Sequence, residues 1–355
     1  MAEPKTTLRD IARKVNVSAA TVSQALNGKG RISEGKRKQI VALLREVGYK
    51  PKTLRRPVVY VQSRKEMGLH HAHIPFVETY TGLNEALLEQ QLDLHVEMLR
   101  TDLPLRGQVE SLLAHKPGAI VLDTVLEDLV EPASKLFEQA GVPTVQVGHV
   151  PRCSSCDAVV VDNFSGARAA VRHLAKLHKR VACIRWNVQR DPASAEKFSA
   201  YQCAMQELGL SVRDSDIIES PYKREGLALP GRVAIEKLLS QPDPPRAVFV
   251  ENSFISASLL YTSFPQEQRL PGAIAALDIV HFEALSLDGL EQAISSVLAF
   301  EGRKTKLVRI DWRELGRAAG RRIAERLNGQ PNAGQVLRIA PRLVEVNGLV
   351  ASAIE

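Results

Sequence analysis

The amino-terminal part of the chain reads TLRDIARKVNVSAATVSQALNGKGRISEGKRKQIVALLREVGYKP (residues 7–51), which is the pattern of three short helices. Thr7, Ser18 and Ser33 each precede an apolar helical repeat and can cap it. The second helix is expected to end at Asn27-Gly28. Because only about four residues join the first two helices, these helices cross steeply. The stretch therefore predicts a helix-turn-helix head.

Packing of the apolar faces gives this head a small core. The residues expected inside it are Ile11, Ala12, Val15, Val17, Val22, Leu26, Ile40, Val41, Leu44 and Val47. Burial of these side chains leaves Ala19, Ala20, Ser23 and Gln24 facing outward on the second helix, where a DNA major groove can receive them.

Charge is concentrated in the same region. Residues 1–57 contain 14 Lys or Arg and 4 Asp or Glu, a net charge of +10, whereas the remaining 298 residues carry −3. An ordinary helical hairpin, or a helical subdomain of an enzyme, is the alternative interpretation. The localised positive charge favours a head that binds a polyanion.

The body alternates apolar β-rich runs with amphipathic helical stretches. The predicted strands are Val58–Gln62, Leu92–Met98, Ala119–Leu122, Val142–Val147, Val181–Ile184, Ala247–Val250 and Ala273–Leu277. The predicted helices are Thr81–Gln91, Arg106–His115, Ala133–Ala140, Ser165–Leu177 and Ala195–Leu208. This alternation predicts parallel sheets covered by helices, and its length is too great for one core. We expect two doubly wound α/β lobes that hold a ligand at the carboxyl ends of their strands.

The sequence DIARKVNVSAATVSQALNG, followed by RIS and later GYKP, resembles the DNA-binding head of the lactose-repressor (LacI/GalR) family. Similarity continues in the body, at PGAIVLD (117–123), GVPTVQVG (141–148) and VVVDNFSGARAAVRHL (159–174). The resemblance implies an effector-binding body related to periplasmic sugar-binding proteins.

The resemblance also implies a division of the chain. The expected head is 1–50, the linker 51–57 and the effector-binding and dimerisation body 58–355. Within the body, the first lobe is expected at about 58–160 and 308–329, and the second at about 161–306 and 330–355.

By the same resemblance, Ala19, Ala20 and Gln24 occupy positions that touch base edges, and Thr21 and Ser23 contact phosphate. A solvated basic surface is the alternative for the lysines and arginines. The full set of expected DNA contacts is Thr7, Ser18, Ala19, Ala20, Thr21, Ser23, Gln24, Asn27, Lys29, Arg31, Lys36, Tyr49, Lys52, Leu54, Arg55 and Arg56.

The linker departs from the family pattern, in which a hinge helix places a leucine in the minor groove. Here Tyr49 is followed after only eight residues by the first strand, and Pro57 disfavours helix at Arg56. Leu54 is the candidate wedge. Arg55 and Arg56 can instead serve as an extended arm along the DNA.

The effector cleft departs as well. Where the family has arginine in R-x-x-G-[FY]-x-x-A, this chain has Lys197, which keeps the positive charge but lacks the planar fork. A small polar, carbohydrate-like ligand is expected, and loss of ligand sensing is the alternative. The expected effector contacts are His73, Phe76, Asp162, Lys197, Tyr201, Asn252 and Asp278.

Other chemistry has weak support in the sequence. Cys153 and Cys156 have redox or zinc spacing but no second pair, and His70, His71 and His73 form a polar cluster that is expected to lie in a loop. No phosphate-binding glycine loop or hydrolase motif occurs. The sequence therefore predicts neither an enzyme nor a cofactor or metal site.

The polar amino terminus and the lack of a long apolar run predict a cytoplasmic protein without a membrane partner. We expect a homodimer on a palindromic operator, with an effector that changes the angle between the lobes. Repression is the expected output, and activation stays open because it depends on operator position. A DNA-binding regulator whose body only dimerises is the first alternative, and a solute-binding protein is the second.

Overall fold

The computed structural model of the chain describes two compact units, Met1–Arg56 and Pro57–Glu355. The described residues are 8–19, 21–22, 32–33, 35–36, 39–40, 42–43, 56–64, 73–100, 102–123, 129–148, 151, 156–186, 192–220, 230–252, 255–256, 277–282, 305–329, 334–347 and 350–353. Only the backbone is described at 8–10, 63–64, 73–75, 230, 232, 305, 346–347 and 350–353.

The first helix of the head, α1 (Leu8–Lys14), ends at a left-handed residue. Asn16 has a φ of 50°, and its N–H donates to the Arg13 carbonyl oxygen at 3.3 Å. The Val17 N–H donates to the Ala12 carbonyl oxygen at 3.0 Å. Asparagine tolerates this conformation, so the pair of bonds forms a Schellman turn that closes the helix.

A small apolar core holds the described part of the head together. Ile11, Ala12, Val15, Val22 and Ile40 are buried in it. Ala19, which was predicted to face outward, is half-buried against the same core, so only part of its side chain is exposed. Four other residues of the predicted core, Leu26, Val41, Leu44 and Val47, lie outside the described residues.

The described strands of the second unit are β1 (Val58–Arg64), β2 (Leu94–Arg100), β3 (Ala119–Asp123), β4 (Thr144–Gly148), β5 (Asp157–Val161), β6 (Val181–Trp186), β7 (Ile217–Ser220), β8 (Ala247–Val250), β9 (Asp278–Phe282), β10 (Thr305–Arg309), β11 (Val336–Ile339), β12 (Arg342–Asn347) and β13 (Val350–Ala353). Its described helices are α2 (His73–Glu89), α3 (Leu105–Ala114), α4 (Val130–Gln139), α5 (Asn163–Leu177), α6 (Pro192–Glu207), α7 (Pro230–Leu239) and α8 (Trp312–Leu327).

These strands form two sheets, which confirms the predicted pair of α/β lobes. The first sheet has the order β11-β5-β4-β3-β1-β2, and all of its pairs are parallel. The second has the order β13-β12-β10-β9-β8-β6-β7 and is parallel except where β12 pairs with β10 and β13. Strands β3, β4 and β5 are buried along their whole length because helices cover both faces of the sheet.

Short crossovers orient the two sheets. Asp162 alone separates β5 from α5, Ile310 and Asp311 separate β10 from α8, and Ala340 and Pro341 separate β11 from β12. Each crossover leaves the carboxyl end of a strand, and Arg342 pairs with Arg309 at the carboxyl end of β10. The carboxyl edges of the two sheets therefore face each other, and this junction is the cleft edge of each lobe.

The sheets correct the predicted lobe boundaries. β10 belongs to the second sheet and β11 to the first, so the chain returns to the first lobe after Arg309 and leaves it after Ile339. The second lobe consequently does not contain the whole of 330–355. β9 begins at Asp278, after the predicted strand Ala273–Leu277, and α2 begins at His73, where a loop was expected.

Helices α2 and α8 pack against each other at very short range. A Cβ atom on Gly82 would lie 1.9 Å from the Arg313 carbonyl oxygen, and one on Gly316 would lie 2.0 Å from that of Thr79. Both contacts are with backbone. These positions require glycine because any side chain would push the two helices apart.

Candidate DNA-binding surface and effector cleft

The predicted cap of the second head helix is present. The Ser18 Oγ accepts the Thr21 N–H at 3.0 Å and lies 2.8 Å from the Thr21 Oγ1. Ser18 is exposed and Thr21 is half-buried. The capped turn that would present the second helix to DNA is therefore built from the residues predicted for it.

Other predicted DNA contacts are placed only in part. Lys36 is half-buried and Arg56 is exposed. Their contacts with DNA, like those of Ser18, Ala19 and Thr21, stay predictions. The predicted contacts outside the described residues are Thr7, Ala20, Ser23, Gln24, Asn27, Lys29, Arg31, Tyr49, Lys52, Leu54 and Arg55.

At the cleft edge of the first lobe, a buried carboxylate accepts hydrogen bonds from two side chains. Asp123 is the last residue of β3, and its Oδ2 accepts the Tyr60 hydroxyl at 2.7 Å and the Gln62 Nε2 at 3.0 Å. Burial, followed by the Asp123 charge, raises the pKa of Tyr60 well above 10.0, so the hydroxyl stays a donor. Phe76 stacks on Tyr60 with 5.6 Å between ring centroids, while His73 starts α2 and its side chain lies outside the described residues.

Lys197 lies at the cleft edge of the second lobe, but its ammonium group is engaged within the protein. Its Nζ donates to the Glu251 carbonyl oxygen at 3.2 Å and lies 4.3 Å from the centroid of the Phe282 ring. The residue is only 4% exposed. The positive charge is held internally, and a contact between Lys197 and an effector stays a prediction.

Glu251, which the sequence analysis did not select, is the first residue after β8 and is 1% exposed. Its Oε1 accepts the Trp186 N–H at 2.5 Å and the Ser194 hydroxyl at 2.6 Å, whereas its Oε2 is buried and has no hydrogen-bond partner among the described residues. Burial raises the pKa of this carboxyl above 4.5, and the Ser194 hydrogen bond and Lys197 charge oppose that effect. A carboxylate directly after a buried strand was the available signal.

Asn252, the next residue, supports a buried polar chain through its backbone. Its carbonyl oxygen accepts the Ser256 N–H and the Ser256 hydroxyl, each at 3.0 Å. The His281 Nδ1 lies 3.0 Å from the same hydroxyl and donates to it, because the hydroxyl proton is already used. Burial lowers the pKa of His281 to about 4, so the imidazole is neutral at physiological pH.

Two acidic side chains lie beside the crossovers. Asp162 caps α5, since its Oδ1 accepts the Ser165 N–H at 3.0 Å and its Oδ2 accepts the Ser165 hydroxyl at 2.6 Å. Glu196 on α6 accepts the Asn163 Nδ2 at 3.1 Å and the Arg338 Nη1 at 3.2 Å. Because Arg338 belongs to β11, this ion pair joins the two lobes.

Two predicted effector contacts lie at the amino edge of the second sheet rather than at its carboxyl edge. The Tyr201 hydroxyl donates to the carbonyl oxygen of Val181, the first residue of β6, at 2.8 Å, and the side chain is fully buried. Asp278 is the first residue of β9 and pairs with Lys306 and His178. Both side chains lie at the amino edge of the second sheet, so the structure does not place them in the cleft.

The described residues contain no group of three or more His, Cys, Asp or Glu side chains that could hold a metal ion. Cys156 is buried and accepts the Gln146 Nε2 at 2.7 Å, whereas Cys153, His70 and His71 lie outside the described residues. Separately, none of the helices within the described ranges is long and apolar enough to cross a membrane.

Comparison with protein families separates the same two parts of the chain. Residues 7–52 match the bacterial regulatory proteins of the lacI family, and residues 171–345 match a periplasmic binding protein-like domain. The chain is 25% identical to the ribose operon repressor of Escherichia coli (strain K12) over 285 residues, which cover 79% of this chain and 84% of the relative. It is 26% identical to the HTH-type transcriptional regulator DegA of Bacillus subtilis (strain 168) over 350 residues, or 96% and 97% of the two chains.

Solved structures of transcriptional regulators share the fold. The transcriptional regulator CelR in complex with cellobiose has a TM-score of 0.62 and 22% sequence identity, covering 97% of this chain and 100% of that one. The lac repressor dimer bound to operator and the anti-inducer ONPF has a TM-score of 0.59 and 17% identity, covering 98% and 100%. At these identities the likeness concerns the fold alone.

Proposed function

We propose that this LacI-family chain is a sequence-specific transcriptional repressor without enzymatic activity, which binds a palindromic operator in the bacterial cytoplasm as a homodimer. A small polar effector would bind between the two lobes. The observation that carries the proposal is the combination of a capped helix-turn-helix head with a body whose two sheets face each other at their carboxyl edges. The relatives include a ribose operon repressor, and the related lac repressor structure is a dimer on operator.

An apolar surface on the first lobe supports dimerisation. β2 is the edge strand of the first sheet, and its Val96 and Met98 are 40% and 46% exposed. On α2, Val77 and Leu88 are 52% and 59% exposed. An edge strand with exposed apolar side chains is a site of association, so we assign this surface to the second copy of the chain.

The connection to the head supports control by lobe angle. The head joins the body at Val58, the first residue of β1, which is the amino edge of the first sheet and remote from the cleft edge. An effector at the cleft would therefore act on β1 through a change in the lobes. It shifts the equilibrium only as far as its affinity differs between the two arrangements.

Selection of binding sites from random duplex DNA by the full-length protein, at a stated salt concentration, tests the function. A palindrome with two equal half-sites is expected, and Gln24→Ala should change base preference without changing the salt dependence of binding. Recovery of no motif, with salt-sensitive binding only, would overturn sequence-specific regulation and make the head a non-specific anchor.

The internal engagement of Lys197 favours a second candidate, a DNA-binding regulator whose body dimerises without sensing a ligand. Thermal unfolding against a sugar and metabolite panel separates the two, because only a body that binds a ligand in its folded state gains stability from it.

A further inference from the structure

Glu251, at the cleft edge of the second lobe, lowers the stability of the folded protein. A buried carboxylate that leaves one oxygen without a donor destabilises the fold, and a glutamine at this site could keep both bonds to Oε1 without the charge. Costly groups of this kind are retained where function requires them. The unsatisfied atom is an acceptor, so what it lacks is a hydrogen-bond donor.

Among the described neighbours of Glu251, the donors are directed to other acceptors. Lys197 donates to the backbone oxygen of Glu251 and lies over Phe282, so the nearest ammonium is directed elsewhere. Trp186 and Ser194 both donate to the other carboxylate oxygen. Because Trp186 ends β6 and Ser194 lies in the first turn of α6, Glu251 holds both flanks of the connection between these elements.

The facing edge of the first lobe also carries a buried carboxylate. Asp123 ends β3 and is 8% exposed, which places a second buried carboxylate at the opposite wall of the cleft. Two carboxylates repel an anion that enters between them and attract hydroxyl or ammonium donors.

We propose that Glu251 determines effector specificity, and that its Oε2 accepts a hydrogen bond from a hydroxyl or ammonium group of an effector that carries no anionic group. This inference rests on the proposed sensing function and narrows its ligand class. A hydrogen bond from the effector to Oε2 should also affect the connection between β6 and α6, because the Glu251 side chain binds the residues at both of its ends.

Calorimetric titration of the full-length protein tests the ligand class. The neutral probes are ribose and cellobiose, the ammonium probe is glucosamine, and the anionic probes are ribose 5-phosphate and glucose 6-phosphate. We expect binding of at least one neutral or ammonium probe and none of the phosphates. If the neutral probes bind, the donor is a hydroxyl group, and if only the ammonium probe binds, the donor is an ammonium group.

The matched variant is Glu251→Gln, which keeps an acceptor for Trp186 and Ser194 and replaces Oε2 with a donor. This variant should lower the affinity for the probe that binds by about tenfold or more, which corresponds to the loss of one hydrogen bond to a charged group. Glu219→Gln makes the same change at an exposed site at the end of β7 and should leave the affinity unchanged. Ser194→Ala leaves Oε2 in place and should lower the affinity less than Glu251→Gln does. It is the variant to measure if Glu251→Gln fails to fold.

Tighter binding of a phosphate than of its neutral counterpart, or unchanged affinity in Glu251→Gln, overturns the assignment of Glu251 while leaving a ligand-controlled regulator in place. Failure of every probe to bind, with operator selection intact, overturns the sensing function itself and supports the body that only dimerises.

Discussion

The Lys197 ammonium donates to the backbone oxygen of Glu251, 3.2 Å away, where β8 ends. The positive charge that the family resemblance assigns to ligand binding is thus part of the internal structure of the second lobe. Removal of this charge should therefore lower the stability of the fold.

Replacement of Lys197 by methionine is expected to destabilise the protein by about 2–4 kcal/mol, because it removes a cation that stabilises the buried Glu251 carboxylate. Urea unfolding measures the loss. The double variant Lys197→Met with Glu251→Gln should recover part of it, and strictly additive losses would mean that the two side chains do not interact.

Glu251→Gln should change the dependence of stability on pH. The pKa of Glu251 is raised in the folded state above 4.5, so the folded protein binds more protons than the unfolded chain between the two values. The stability contributed by the protonated group is complete below pH 4.5 and is lost as pH rises through the folded value. The free energy of unfolding of Glu251→Gln, relative to that of the wild type, should therefore increase from pH 5 to pH 7.5. Urea unfolding measures it, and Glu219→Gln is the control. A constant difference across this range would contradict the prediction.

Arg338→Met should alter coupling between the lobes more than stability. Its partner Glu196 and Arg338 itself are 24% and 41% exposed at the side chain, so loss of the ion pair should change unfolding by less than about 1 kcal/mol. Because the pair joins the lobes, the effect of a bound ligand on operator affinity should change. Arg338→Lys keeps the charge and should retain most of the coupling. Identical coupling in all three proteins would show that the ion pair does not influence the lobes.

Gly316→Ala is expected to destabilise the first lobe by about 2 kcal/mol or more, since the new Cβ would meet the Thr79 carbonyl oxygen. Gly107→Ala on α3 is the matched control, because nothing lies within 4 Å of its Cβ position. That control should be neutral or slightly stabilising through helix propensity. Thermal unfolding of the two variants compares these outcomes, and equal melting temperatures would refute the close contact.

Val96→Lys should dissociate the proposed dimer, because it places a charge on the apolar edge strand. Sedimentation velocity of the free protein measures the species. Leu208→Lys introduces the same charge at an exposed apolar residue of the second lobe and should leave the dimer intact. Persistence of the dimer in Val96→Lys would place the interface elsewhere.

Strands with continuous apolar runs were predictable from sequence, and β8 has the bounds predicted for it. β9 was not predicted because its sequence, DIVHF, mixes polar and apolar residues, and residues 273–276 of the neighbouring predicted strand lie outside the described residues. Its position is decided by pairing with β8, from Ala247 against Asp278 to Val250 against His281. The same limit explains β11, since four residues do not reveal which of two sheets they will join.

The candidate site shows the same division between local pattern and tertiary placement. Lys197 and Tyr201 share a face of α6, but Tyr201 is one turn further from the cleft edge, about 6 Å along the helix. Glu251 could be recognised as a polar residue after a buried strand. The state of its second oxygen could not, because it depends on Trp186 and Ser194, which lie 65 and 57 residues away from Glu251 in the sequence.

The chain order has a consequence for biosynthesis. The first sheet is begun by β1 but is completed by β11, and α8, which packs against β3, β4, β5 and α2, is translated after most of the second lobe. A nascent chain that has reached β10 therefore still exposes the edge of β5 and an uncovered apolar face. Such a chain presents an unfinished sheet to the cell, and ribosome stalling or truncation before α8 should yield an aggregation-prone product rather than an independent first lobe.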